Sequence, residues 1–284
     1  MPELPEVETT RAGIETAAKG QKLQAMLIRQ RQLRWPVPDC LPQVIVGHTL
    51  NSVERRGKYL LLGFDPGHLI VHLGMSGSIR SVEPGALWRT HDHVEWLFDR
   101  NCSLRLHDPR RFGAILWHVR GDKPLLEHPL LERLGVEPLS QAFTPHTLLD
   151  GVKNRRVSIK QALLAGHIVV GVGNIYASES LFRARIHPQM PACDLTRQQA
   201  TRLHAAIIQT LQDALESGGS TLRDYVNATG EPGSYFTIHA AVYERENTPC
   251  RVCTTPIRRI VQGQRATYFC PGCQRLRRRA PSRG

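Results

Sequence analysis

Two C-x2-C pairs near the C-terminus, Cys250/Cys253 and Cys270/Cys273, are separated by sixteen residues and constrain this chain more than any other feature. Four thiolates at that spacing suit one tetrahedral Zn2+, each pair forming a turn that points both sulfurs inward. Pro271-Gly272 inside the second pair fits such a turn. With every coordination position filled by protein, none is left for water, so this metal is expected to hold a hairpin and do no chemistry. The segment has few apolar residues with which to hold itself. The other cysteines, Cys40, Cys102 and Cys193, are isolated, and a total of seven is odd. In a chain with no export signal they are expected to be buried, reduced thiols and not a disulfide framework.

The net charge of +12 is unevenly placed. Positions 250–284 hold nine arginines, no lysine and no acid, which leaves +12 − 9 = +3 for the rest. A solvated basic tail is the plain explanation of such a run. Arginine interleaved with a zinc module is instead the usual footprint of phosphate binding, and points to nucleic acid. At 284 residues the chain is long enough for two or three domains. It has no apolar run of transmembrane length, and MPELPEVE lacks the basic start and apolar stretch of a signal peptide. A cytosolic protein is expected.

Residues 5–18 suit a short helix with Pro5 in its first turn and Gly20 as a stop. Lys22 to Gln30, Tyr59 to Asp65, His68 to Met75, His93 to Asp99, Ser103 to His107 and Ala114 to Val119 are short runs rich in β-formers. Asp65-Pro66-Gly67 reads as a turn between two of them. Together they predict a sandwich or barrel. Past Pro124 the pattern becomes helical. Thr196 and Gln199 form a capping pair, and Ala200, Leu203, Ile207, Leu211 and Leu215 recur at helical spacing until Gly218-Gly219. From about Ser234 hairpin-like strands flank the cysteines. The fold class is α+β and multi-domain.

The N-terminus has chemical interest beyond a helix lead-in. If Met1 is removed, Pro2 presents a secondary α-amine with a reference pKa of about 7.7–8.0, so roughly a tenth is neutral at pH 7. A secondary amine that attacks a sugar C1′ gives an iminium with no N–H to lose, which stays an electron sink for elimination. Glu3, next in the chain, is placed to protonate a ring oxygen or shuttle protons.

PELPEVE at the start, Lys58 in RRGKYLLL, HLGMSG at 72–77, HDPRRFG at 107–113, GVGNIYASE at 171–179 and QRATYFCPGCQ at 264–274 together resemble the bacterial formamidopyrimidine-DNA glycosylase family. The matches run from end to end in the expected order. The resemblance implies an N-terminal helix and β-sandwich over 1–135, a helical helix-two-turn-helix domain with a lesion-capping loop over 136–234, a β-hairpin zinc finger over 235–274 and a basic tail over 275–284. It implies excision of oxidised purines, chiefly 8-oxoguanine and formamidopyrimidines, then β- and δ-elimination, by a monomer acting on damaged double-stranded DNA with one structural Zn2+.

By the same resemblance Pro2 matches the Schiff-base nucleophile, Glu3 the acid/base partner, Lys58 the proton-transfer residue of β-elimination and Arg265 the finger arginine. Lys58 remains open to a plain phosphate role, and so does Arg265, whose guanidinium is a poor proton donor. Met75, Arg110 and Phe112 match an intercalation triad that fills the gap left by an everted nucleotide. Taken alone, Met75 and Phe112 are types more often found in a core. His72, His91, Arg155, Lys160, Asn174 and Tyr243 match positions near the DNA backbone, with Gly171 and Gly173 letting a helix N-terminus approach a phosphate. The segment 218–235 matches the capping loop and Ser220 a base-contacting position. That match, with Leu4, favours oxidised purines over the pyrimidine-preferring endonuclease VIII-like sister. Ala165-Gly166 departs from the polar pair common in the family, and the chain runs past Gln274, where relatives typically stop. A non-catalytic zinc-dependent DNA-binding module is the alternative of another class.

Overall fold

The computed structural model describes residues 2–220 and 233–276, and the chain divides by packing into two units, 1–133 with 214–238 and 134–213 with 239–284. Met1, most of the expected capping loop and the tail beyond 276 lie outside the described residues.

In the first unit Glu3 caps helix α1, Leu4–Ala18, with Pro5 in its first turn. Strands β1 (Leu23–Ile28), β2 (Ser52–Arg56), β3 (Tyr59–Phe64), β4 (Gly67–His72), β5 (Ser78–Val82), β6 (Asp92–Phe98), β7 (Cys102–His107) and β8 (Ala114–Val119) follow, with a short helix α2, Leu41–Ile45, after β1. They form two antiparallel four-stranded sheets of order β1-β6-β7-β5 and β2-β3-β4-β8. Leu23, Met26, Trp96, Leu104 and Leu106 of one sheet share a single core with Leu60, Leu62, Leu69, Val71 and Ile115 of the other, and Val7 and Ile14 of α1 join it. The expected sandwich is therefore present. The strands additional to those expected from sequence, β2 and β5, are both edges, where polar residues blunt pairing with other chains.

The second unit is mainly helical. Helices α3 (Pro145–Val152), α4 (Ile159–Leu164) and α5 (Asn174–Arg183) precede the long α6, Arg197–Glu216, which crosses into the first unit at Ala214. Thr144 and Ser158 cap α3 and α4 through their hydroxyls. Thr196 and Gln199 form the expected capping box, each side chain accepting the other's backbone N–H. A short helix α7, Tyr235–Ile238, lies in the first unit, and β9 (Arg258–Gln262) and β10 (Arg265–Phe269) form the C-terminal hairpin.

One expectation needs correction. Cys102 is buried, but Cys40 and Cys193 are exposed. Both stand at the turns of short helical pieces, Cys40 as the N-cap of α2 and Cys193 within the 3-10 turn Ala192–Asp194. Among the described residues no helix is long and apolar enough to cross a membrane.

Candidate functional site

The start of α1 is a reciprocal capping box. The Glu3 side chain accepts the Glu6 backbone N–H, and Glu6 Oε2 accepts the Glu3 N–H at 2.7 Å. Such a box satisfies two otherwise orphaned donors and fixes the entry angle of the chain. Pro2 and both glutamates are buried. The second oxygen of Glu6 accepts the Ser220 N–H at 2.6 Å and its hydroxyl at 2.8 Å.

Lys58 sits in the two-residue turn Gly57-Lys58 between β2 and β3, and Gly57 supplies the positive φ of 58° that the turn requires. Arg55 braces this hairpin, donating from Nε to Glu8 at 2.8 Å and from Nη1 to the Gly57 carbonyl at 3.0 Å. His72, paired with Tyr59 across β3–β4, packs on its ring at 4.9 Å. Burial, aided by the charges of Lys58 and Arg34, pulls the His72 imidazole down to about 4. It is therefore neutral at pH 7, and Nδ1 accepts the Gly74 N–H at 3.0 Å, which leaves Nε2 as the donor.

Two loops carry the expected intercalation triad. Met75 is 41% and Phe112 45% exposed, and the Arg110 guanidinium lies 4.9 Å over the Phe112 ring. These side chains are not core. The loops are joined by the fully buried Asp108, whose carboxylate accepts the Ser76 hydroxyl at 3.0 Å and the Gly113 N–H at 2.7 Å. A Cβ on Gly74 would meet the Phe112 backbone at 2.4 Å, so only glycine permits this approach. His91, exposed and at a φ of 74°, holds the same loop through its carbonyl, which accepts the Asp108 N–H at 3.0 Å.

In the second unit Lys160 is fully buried. Its Nζ donates to Asn174 Oδ1 at 2.7 Å, Thr267 Oγ1 at 2.8 Å and the Ala266 carbonyl at 3.1 Å. It braces the first residue of α5 against β10 and is buried away from solvent. Asn174 begins α5 after Gly173, with Gly171 at a φ of 83°, so the N-terminus of this helix follows directly on the glycine-bearing turn. Asn174 Nδ2 donates to the Tyr243 hydroxyl at 3.1 Å. The buried Glu179 carboxylate accepts the backbone N–H groups of Ala241, Val242 and Tyr243. Burial pushes its carboxyl up, against those three donors. Arg155 is half-buried and gives its Nε to the Gly151 carbonyl at 2.8 Å.

The four sulfurs of Cys250, Cys253, Cys270 and Cys273 lie within 4.8 Å of one another. The Cys250–Cys273 and Cys253–Cys270 pairs stand at 3.9 and 3.3 Å, far beyond a disulfide. A tetrahedron with Zn–S bonds of about 2.3 Å has edges of roughly 3.8 Å, so the cluster fits one zinc ion. Backbone N–H groups of Val252 and Cys273 donate to Cys250 and Cys270 sulfur, as thiolates require. A Cβ on Gly272 would meet Cys253 Sγ at 3.0 Å. The four cysteines are thus positioned to bind one structural metal ion. Arg265 stands exposed beside the hairpin turn Gly263-Gln264, where both φ angles are positive as a two-residue turn of this kind needs.

Glu6, Asp108 and Glu179 fall inside the sequence motifs and Arg34 outside them, yet the networks that these residues form are not legible in the sequence. Nothing in one sequence tells that a carboxylate binds N–H groups from a distant segment. Arg34 is exposed, stacked 4.7 Å over Trp35, and its N–H donates to the Gly113 carbonyl at 3.0 Å.

Comparison with known proteins bears on the same regions. The profile of the formamidopyrimidine-DNA glycosylase N-terminal domain matches residues 1–115, that of the H2TH domain of the same glycosylases 134–226, and that of a zinc finger found in FPG and IleRS 248–276. A formamidopyrimidine-DNA glycosylase of Bordetella pertussis is 62% identical over 97% of this chain and 100% of its own. The crystal structure of the MutM (Fpg) protein of Thermus thermophilus aligns with a TM-score of 0.84 at 41% identity, over 96% of this chain and 98% of that one. A Lactococcus lactis Fpg in complex with abasic-site DNA aligns with a TM-score of 0.89 at 32% identity, over 96% and 100%.

Proposed function

The chain belongs to the formamidopyrimidine-DNA glycosylase family, DNA glycosylases that act on damaged DNA, and from that premise we propose that it excises oxidised purines through a Schiff base on Pro2 and then cleaves the abasic strand. The observation that carries this reading is the capping box that buries Glu3 beside Pro2 at the start of α1. Once Met1 is removed, the Pro2 amine attacks C1′ as the base departs, while Glu3 supplies a proton to the opening sugar or the leaving base. The resulting iminium is permanently charged and acidifies C2′. Lys58, on the braced β2–β3 turn, moves the proton in β-elimination, and δ-elimination completes release of the sugar.

The other residues take binding roles. Neutral His72, His91, Asn174, Tyr243 and Arg155 hold the backbone, and Arg265 grips the lesion's phosphates from the finger. Met75, Arg110 and Phe112 fill the space of the everted nucleotide, Phe112 as a wedge and Arg110 as partner of the orphaned base. Ser220 takes the role of a contact to the everted base. Formamidopyrimidines are supported as substrates by a related Lactococcus lactis Fpg mutant in complex with Fapy-dG-containing DNA, at 32% identity. The protein works as a cytoplasmic monomer.

Borohydride added during incubation with duplex DNA carrying 8-oxoguanine opposite cytosine traps an adduct that peptide mass spectrometry maps to Pro2. Absence of that adduct from protein shown to lack Met1 overturns the reading. Faster excision of thymine glycol than of 8-oxoguanine would assign the pyrimidine preference instead.

A further inference from the structure

A glutamate at the third helical position needs one carboxylate oxygen to complete a capping box. Glu6 uses Oε2 for that purpose, at 2.7 Å from the Glu3 nitrogen. Its other oxygen is spent on Ser220, 214 positions away in sequence, through two short hydrogen bonds of 2.6 and 2.8 Å. Capping does not call for this second use. Gly219, at a φ of 90°, is packed so closely that a Cβ there would stand 3.1 Å from Glu6 Oε1.

Each end of this bridge is itself anchored. The Glu3 nitrogen belongs to the Pro2–Glu3 peptide, which is planar, so holding its N–H fixes the orientation of the Pro2 carbonyl and Cα and leaves the amine one bond away. Ser220 pairs with Ser234, while the Ser234 and Tyr235 N–H groups donate to the Ser217 and Gly219 carbonyls at 3.0 and 3.2 Å. Residues 217–220 and 233–235 thus form a closed neck. Glu6 is 1% exposed and Ser220 5%, so water does not compete for these bonds.

We propose that Glu6 is a positioning residue whose carboxylate sets the place of the Pro2 amine relative to the neck at Ser220. The proposal rests on the reading of Pro2 as nucleophile. Glu6 need not touch the reacting atoms. One carboxylate accepts donors from both sides through its two oxygens, and neither an amide nor a shorter side chain does the same. In Glu6→Gln the amide nitrogen faces one set of N–H donors and that tether is lost. In Glu6→Asp charge and helix cap are kept, but the side chain is too short to reach both segments.

The test combines borohydride trapping on Pro2 with single-turnover and steady-state excision of 8-oxoguanine, and with binding to duplex containing a tetrahydrofuran abasic analogue. Both variants are expected to keep KM and analogue affinity within about threefold, while kcat falls about ten- to a hundredfold, the scale of a 1 Å misplacement. If Glu6→Gln fails to fold, Glu6→Asp carries the test alone. Failure of the wild type to form an adduct on Pro2 sinks the nucleophile reading itself. A normal wild-type adduct with kcat unchanged in the folded variants overturns the Glu6 proposal. So does a loss that follows analogue affinity and Tm and spares kcat.

Discussion

Lys160 Nζ and Asn174 Oδ1 are 2.7 Å apart, with the lysine fully buried behind the first residue of α5. A lysine so enclosed, which also donates to Thr267 and the Ala266 carbonyl, is expected to brace the start of α5. Lys160→Met keeps the length of the side chain but leaves Asn174, Thr267 and the Ala266 carbonyl without their shared donor. The expected cost is on the order of 2–4 kcal/mol. Tm should fall by several degrees, at roughly 2–4 °C per kcal/mol for a chain of this size. DNA affinity weakens while its dependence on salt stays the same. An unchanged Tm with a salt slope smaller by about one would instead make Lys160 a direct phosphate contact.

The wedge and its mount should separate by stability. Phe112, at 45% exposure, contributes little to folding, so Phe112→Ala should change stability by less than about 1 kcal/mol while slowing excision. Asp108→Ala strips partners from the Gly113 N–H and the Ser76 hydroxyl and should cost about 2–3 kcal/mol, with a similar loss of excision because both loops shift. Thermal melts and single-turnover rates on one 8-oxoguanine duplex decide the matter. A large drop in Tm for Phe112→Ala would place that ring in the core.

What the sequence revealed follows from which interactions are local. The cysteine spacing announced the zinc site because four thiolates at short intervals have few other uses in a reduced chain. The Thr196–Gln199 box announced α6 because both halves lie within one turn. Strands β2 and β5 escaped notice because edge strands carry polar residues, SVERR and SIRSV, and lack the apolar pattern of inner strands. Arg105 shows the same limit. It alternates correctly to the outer face of its sheet, yet it is 1% exposed, ion-paired to Glu95 at 2.8 Å and stacked 4.5 Å from Trp88. No periodicity reports that a loop folds back over a sheet. Glu6, Asp108 and Glu179 have legible chemistry and illegible partners.

His72 makes stability depend on pH in a definite direction. Its pKa in the folded protein is about 4, against about 6.5 in an unfolded chain. Between those values the unfolded state binds more protons. The stabilisation is complete above about 6.5 and is lost as pH falls towards 4. His72→Gln keeps a neutral donor and removes the titration, so its Tm should fall less steeply than that of the wild type across this window. Parallel Tm–pH curves for the two proteins would show that His72 is not held neutral. At pH 7 the salt dependence of DNA binding should be the same for both, because His72 brings no charge to the phosphate.

Zinc removal tests the finger as a clamp. Cys250 and Cys270 are buried with Ile257, Val242 and Phe182 in a cluster too small to hold the hairpin alone, and structural zinc sites supply on the order of 10 kcal/mol or more of folding free energy. The helices of the same unit have their own buried residues, among them Leu148, Ile159, Leu181, Leu203 and Ile207. Cys270→Ser should therefore reduce zinc from one ion per chain to none, as native mass spectrometry reads it, and leave most of the helical circular dichroism. Arg265 would then be presented by a hairpin without its fastener. Affinity for abasic-analogue DNA should fall at least about tenfold, since losing a phosphate grip and its mount removes more than one charge-assisted contact. Normal binding by the zinc-free variant would mean that the finger carries no part of the grip.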